Sequence, residues 1–96
     1  MKLLELIPSP NPDKKYMAVF DLGDGRTKTT HFGAKPYQDY TQHHSKLRRM
    51  LYLTRHRFSE NWNDPTSAGA LSRWILWGPS TSFNKNVEIF KKKFNL

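Results

Sequence analysis

The sequence predicts an α+β fold: a small antiparallel β-hairpin or sheet at the N-terminal side, packed against about three C-terminal α-helices. Three observations predict it. Aromatic and β-branched stretches flank a strong hairpin turn, Asp24-Gly25, in the first third of the chain. From residue 41 onward the apolar period becomes that of a helix. Helix punctuation then recurs at Asn63-Asp64-Pro65, Gly78-Pro79 and Ser80 or Ser82. At 96 residues the chain has room for one domain, 1–96.

Leu3–Ile7 is a short N-terminal strand. Residues 8–15, Pro-Ser-Pro-Asn-Pro-Asp-Lys-Lys, form a Pro-rich linker to the body, because Pro8, Pro10 and Pro12 remove backbone donors and hold the chain extended. Residues 16–32 are a β-hairpin with strands Tyr16–Leu22 and Thr27–Phe32. Asp24-Gly25 suits a type I′ turn, in which both central residues take positive φ. That turn sets Asp21 opposite Lys28, Val19 opposite Thr30 and Met17 opposite Phe32. Two strands alone are marginal, so a third strand or a helix must cover them.

Gly33–Tyr40 is a loop. The basic helical region, 41–96, follows. One helix is expected from Thr41 or Gln42 to Phe58, with Leu47, Met50, Leu51, Thr54 and Phe58 on its core-facing side. Arg48, Arg49, Tyr52, Arg55 and His56 occupy the opposite side and should project outward. No acid lies between Asp39 and Glu60 to pair with them. Asp64 is the expected N-cap of the next helix, with Pro65 at its first position. That helix runs to about Trp77, buries Ala70, Leu71, Trp74, Ile75 and Trp77, and stops at Gly78-Pro79. In the last helix Phe83, Val87, Phe90 and Phe94 form an apolar stripe, and Lys91–Lys93 suit the negative pole of its dipole.

Composition narrows the function. There are 16 Lys and Arg against 8 acids, a formal charge of +8, and no cysteine. A disulfide framework, a thiolate zinc site and a Cys nucleophile are thereby excluded. No apolar run approaches the roughly 18 residues of a membrane span. Leu3-Leu4-Glu5-Leu6-Ile7 is too short and too charged for a signal-peptide core. A soluble intracellular chain with no membrane partner is the expectation. The charge is uneven: residues 1–39 are net +1 and residues 40–96 net +7, which points to an anionic partner for one face.

The four histidines suggest a small metal-dependent nuclease only weakly. No His-Glu-x-x-His spacing occurs, His43 and His44 are adjacent and diverge on a helix, and His56 lies between Arg55 and Arg57. Glycine-rich phosphate loops and a Gly-x-Ser-x-Gly turn are also missing. No catalytic residue, cofactor or metal site is assigned. The basic helix carries the better signal. Lys46, Arg48, Arg49, Tyr52, Arg55 and Arg57 are the candidate nucleic-acid-binding residues, because the guanidinium fork matches phosphate and several such contacts release counterions. The expected function is non-enzymatic binding of DNA or RNA with weak sequence specificity. Trp74 and Trp77, three residues apart on an apolar helix, belong to the core rather than to base stacking. The alternative is a minor structural protein of a capsid or virion, contacting other viral structural proteins through Tyr37, Tyr40, Tyr52 and Trp62.

Certain strings go further. They are His31-Phe32-Gly33, Asp39-Tyr40-Thr41-x-His43, Tyr52-x-x-Arg55-His56, Trp62-x-x-Pro65-x-x-Ala68-Gly69-Ala70-Leu71-Ser72-Arg73-Trp74-Ile75-Leu76-Trp77, and a closing Lys92-Lys93-Phe94-Asn95-Leu96. Together, over about residues 14–96, they resemble a short, basic, uncharacterised protein family of nucleocytoplasmic large DNA viruses, the giant viruses of algae and amoebae. The chain departs from that pattern at Pro36, where the family usually has Gly, and at Ser45, where it usually has an acid. The resemblance implies a viral origin, one compact domain and, by context, genomic DNA, RNA or the capsid shell as partner. It implies no activity, cofactor or catalytic residue.

Overall fold

A computed structural model describes residues 1–96 as an α+β domain. Three antiparallel strands, β1 (Lys2–Pro8), β2 (Lys14–Gly23) and β3 (Arg26–Ala34), make a sheet in the order β1-β2-β3. The helices follow: α1 (Tyr40–His43), α2 (Lys46–His56), α3 (Ala68–Leu71) and α4 (Phe83–Phe94). No helix is long and apolar enough to cross a membrane.

β1 pairs with β2, so it is the third strand that the hairpin requires. Residues 8–15 are therefore not a linker to the body: Pro8 belongs to β1, Lys14 and Lys15 to β2, and residues 9–13 connect the two as a second hairpin. Pro8 ends β1, and the turn is tied by Ser9 N–H to Lys15 O (3.1 Å) and Lys14 N–H to Asn11 O (3.1 Å). Prolines sit where a ladder needs no donor.

The Asp24-Gly25 turn has the expected positive φ values, 55° and 74°. The register beyond it is corrected by one residue. Asp21 faces Thr27, Val19 faces Thr29, and Met17 faces His31, while Phe32 stands opposite Tyr16. The cause is a bulge between Asp21 and Gly23, where Gly23 takes φ 84° and its N–H bonds Asp21 Oδ1 at 2.8 Å. One inserted residue moves every pairing by one place. The inward face is consequently Tyr16, Ala18 and Phe20 beside Thr30 and Phe32.

Onto that face pack α3 and α4. The buried cluster comprises Ala18, Phe20, Phe32, Leu71, Ile75, Leu76 and Phe90, with Trp74, Phe83, Val87 and Phe94 half-buried around it. The α4 stripe is as expected, and Ser82 is its N-cap, accepting from Lys85 N–H. α3 starts at Ala68 rather than residue 65. Its N-cap is Ser67, whose Oγ accepts from Ala70 N–H, while Asp64 shapes the turn before it, accepting from Thr66 N–H (3.0 Å) and Thr66 Oγ1 (2.7 Å). These two bonds hold the Asp64 carboxyl below its ordinary pKa.

α3 continues without a break as a π-helical stretch, Ser72–Leu76, closed by Trp77 N–H to Ser72 O at 2.9 Å. Buried Asn86 plugs its end, donating to Ile75 O and Ser80 O and accepting from Ser80 N–H. The chain turns there at Gly78, where a Cβ would lie 2.3 Å from Trp74 O.

The single basic helix expected from residue 41 is two helices. His44 takes a left-handed conformation (φ 56°) and ends α1, and Ser45 caps α2 by accepting from Arg48 N–H. Moreover, α2 is rotated half a turn from expectation. Leu47, Met50, Leu51 and Phe58 are 61%, 56%, 48% and 86% exposed, and α2 contains no buried residue. The side turned inward holds Arg49, Tyr52, Leu53 and His56.

Candidate nucleic-acid interface

The mounting of α2 explains its rotation. The Tyr52 ring lies parallel to Trp77, with centroids 4.2 Å apart and planes 2° apart, and His56 stacks on its other side at 4.2 Å. Burial, then the charge of Glu60, pushes the Tyr52 hydroxyl well above its ordinary pKa. His56 Nδ1 is 2.9 Å from Glu60 Oε1. Arg49 Nε donates to both Trp77 O (3.1 Å) and Gly78 O (2.9 Å). Those carbonyls lie at the end of the α3–π segment, where unpaired acceptors and the dipole both favour a cation. Arg73 reaches the same place, 3.4 Å from Trp77 O, with its guanidinium 4.1 Å from the Trp74 centroid and 5.1 Å from that of Trp62. Burial, and then the Arg49 charge, lower the Arg73 pKa. The apolar stripe of α2 had no comparable partners, since the core is complete without it.

Two of the six candidate residues are thus turned inward. Arg49 does not project to solvent but clamps α2 to the corner at Gly78. Tyr52 cannot stack on a base, because both ring faces are covered. The other four, Lys46, Arg48, Arg55 and Arg57, are exposed. Arg48 approaches only Gln38 Oε1, at 3.5 Å, and Arg57 lies over the Phe58 ring at 4.5 Å. Of all 16 Lys and Arg, only Lys15 and Arg26 lie within 4 Å of a carboxylate.

These four cations flank the exposed apolar ridge of α2, two on each side. On one side Arg48 and Arg55 line a groove of about 1040 Å³ between α2 and the sheet, opposite Lys14 and Tyr37. Its two acids are engaged: Asp39 by Lys15 at 2.7 Å and Glu60 by His56. On the other side Lys46 and Arg57 line a shallower hollow of about 580 Å³, with Tyr40, Arg49 and Trp62 and no acid. Sequence reasoning missed Lys14, which the β1–β2 hairpin brings to the groove, and it missed the ridge. The signal for Lys14 was the hairpin itself, obscured by the prolines.

The histidines do not converge. His31 bonds Ser9, His43 Nδ1 accepts from Ser45 N–H, His44 lies 3.1 Å from Thr41 O, and His56 meets Glu60. No group of three His, Asp or Glu side chains could hold a metal ion.

Among known proteins, residues 4–56 match the model of a family described as a family of unknown function (DUF5754). The matched stretch runs from β1 to the end of α2. No curated protein and no solved structure matches the chain.

Proposed function

The chain belongs to the family of unknown function (DUF5754), whose description carries no activity, and we propose from its geometry that it is a non-enzymatic nucleic-acid-binding protein working through α2. The observation that supports this most is the placement of Lys46, Arg48, Arg55 and Arg57 on both edges of one exposed helix, with no carboxylate partner. Unpaired guanidinium groups lining two hollows suit phosphates, which position a protein on nucleic acid without reading its sequence. His56 is occupied by Glu60 and Tyr52, which speaks against a nuclease role. The viral resemblance makes the genome of a large DNA virus the natural target.

Fluorescence anisotropy of labelled DNA at rising salt tests this. Four phosphate contacts give a slope of log affinity against log salt of about −3 to −4. No binding even at low salt overturns it. The exposed ridge favours one second reading, a minor structural protein of a virus particle, since such patches mark protein contacts. Recovery of the protein in DNA-free empty shells would favour that role.

A further inference from the structure

We infer that α2 enters the major groove of duplex DNA ridge first and contacts thymine methyl groups there, which rests on the nucleic-acid reading above and names its substrate. Successive helix positions lie about 100° apart, so Leu47, Met50, Leu51 and Thr54 form one narrow ridge. Lys46 and Arg57 border it on one side, Arg48 and Arg55 on the other. The surface is therefore a ridge between two cationic channels. Its complement is a channel between two anionic ridges, which is the form of the major groove between its phosphate backbones.

The dimensions agree. The groove is about 12 Å wide and admits a helix about 10–12 Å across. α2 has 11 residues, about 16 Å at about 1.5 Å each, enough for four or five base-pair steps of about 3.4 Å. Arg49, Tyr52, Leu53 and His56 hold α2 to the body from one side, and the opposite side, with the ridge and its bordering cations, is exposed and free to enter. A flat anionic lipid surface would touch the ridge and leave both channels unfilled. A second copy presenting the same face would set like charges against each other.

The chemistry of the ridge selects what is read. Leu47, Met50 and Leu51 offer base edges no hydrogen bond, and Thr54 Oγ1 already donates to Met50 O at 2.9 Å. The one apolar group that the major groove presents is the C5-methyl of thymine. Duplex RNA lacks that methyl, and its major groove is too deep and narrow for a helix. The ridge thus discriminates thymine-containing DNA from RNA without a sequence motif.

Anisotropy with an A·T-rich duplex of about 15 base pairs, and with the same duplex carrying uracil for thymine, keeps every phosphate and removes only the methyls. Affinity should fall about fourfold for each methyl that the ridge buries. The Leu47→Ser, Leu51→Ser double variant, which leaves Met50 as the only large apolar group on the ridge, should discriminate between the two duplexes several-fold less than the wild type. Circular dichroism of the variant should match that of the wild type, because both changed side chains are exposed. Salt-dependent binding with equal affinity for the two duplexes, or equal affinity for duplex RNA, overturns the major-groove assignment while leaving nucleic-acid binding in place. Binding to phosphatidylserine vesicles with none to any duplex overturns both.

Discussion

Arg48 and Arg49 are adjacent and chemically identical, yet the backbone assigns them opposite work. Arg49 closes two hydrogen bonds onto the Trp77 and Gly78 carbonyls, whereas Arg48 meets only solvent and a distant Gln38. Arg49→Ala should therefore destabilise the fold by about 1.5–3 kcal/mol, the range for hydrogen bonds to a charged group. Arg48→Ala should stay within about 0.5 kcal/mol of wild type, as surface changes do, and reduce the salt slope of DNA binding by about one. Denaturant melts and anisotropy on the two variants separate them. Asp64→Ala should also cost stability, about 0.5–2 kcal/mol, because the two Thr66 bonds that shape the turn before α3 are lost. His43 supplies a pH dependence. Its Nδ1 accepts from Ser45 N–H, so the ring is neutral, and burial, then Arg48, with His44 and Lys15 adding to it against Asp39, lowers its pKa. The folded state then binds fewer protons than the unfolded one. This contribution to stability is full above the ordinary histidine value of about 6.5 and fades as pH falls below it. Thermal melts from pH 8 to pH 5 should show that decline, and His43→Gln should flatten it.

The joint between α1 and α2 holds the next prediction. His44 sits at φ 56°, a conformation that costs a residue with a Cβ about 1 kcal/mol and costs glycine almost nothing. His44→Gly should raise stability by about 0.5 kcal/mol once the exposed bond to Thr41 O is lost, visible as a higher melting temperature. Local chemistry of this kind is also what made parts of the fold legible. The Asp24-Gly25 turn, the Ser82 cap and the α4 stripe depend on neighbours within a few residues, and the structure has them as expected. The bulge at Leu22–Gly23 was not legible, because pairing by apparent complementarity reproduces the ladder only if no residue is inserted. The orientation of α2 failed for a deeper reason. Periodicity shows that a helix has two unlike faces but does not say which one meets the body. Here the polar face carries Tyr52, His56 and Arg49, each with a dedicated partner on another element, and those partners are invisible in a local window. The cations of the candidate site were legible from charge alone, while their division between two flanks needed the helix to be placed.

At the scale of the whole molecule the +8 charge acts twice, with opposite signs. Salt screens self-repulsion within the fold and attraction to phosphate alike. Raising sodium chloride from about 50 to about 500 mM should raise the melting temperature while weakening DNA binding, so the two measurements move in opposite directions. The exposed ridge of α2 adds a colloidal consequence. Its three large apolar side chains, Leu47, Met50 and Leu51, would ordinarily be sticky, and the bordering cations keep one molecule from touching the ridge of the next. A small polyvalent anion such as tripolyphosphate neutralises those gatekeepers but offers the ridge no groove to enter. Ridges should then meet one another, and dynamic light scattering should show reversible clustering that peaks near charge equivalence and disappears in the Leu47→Ser, Leu51→Ser variant.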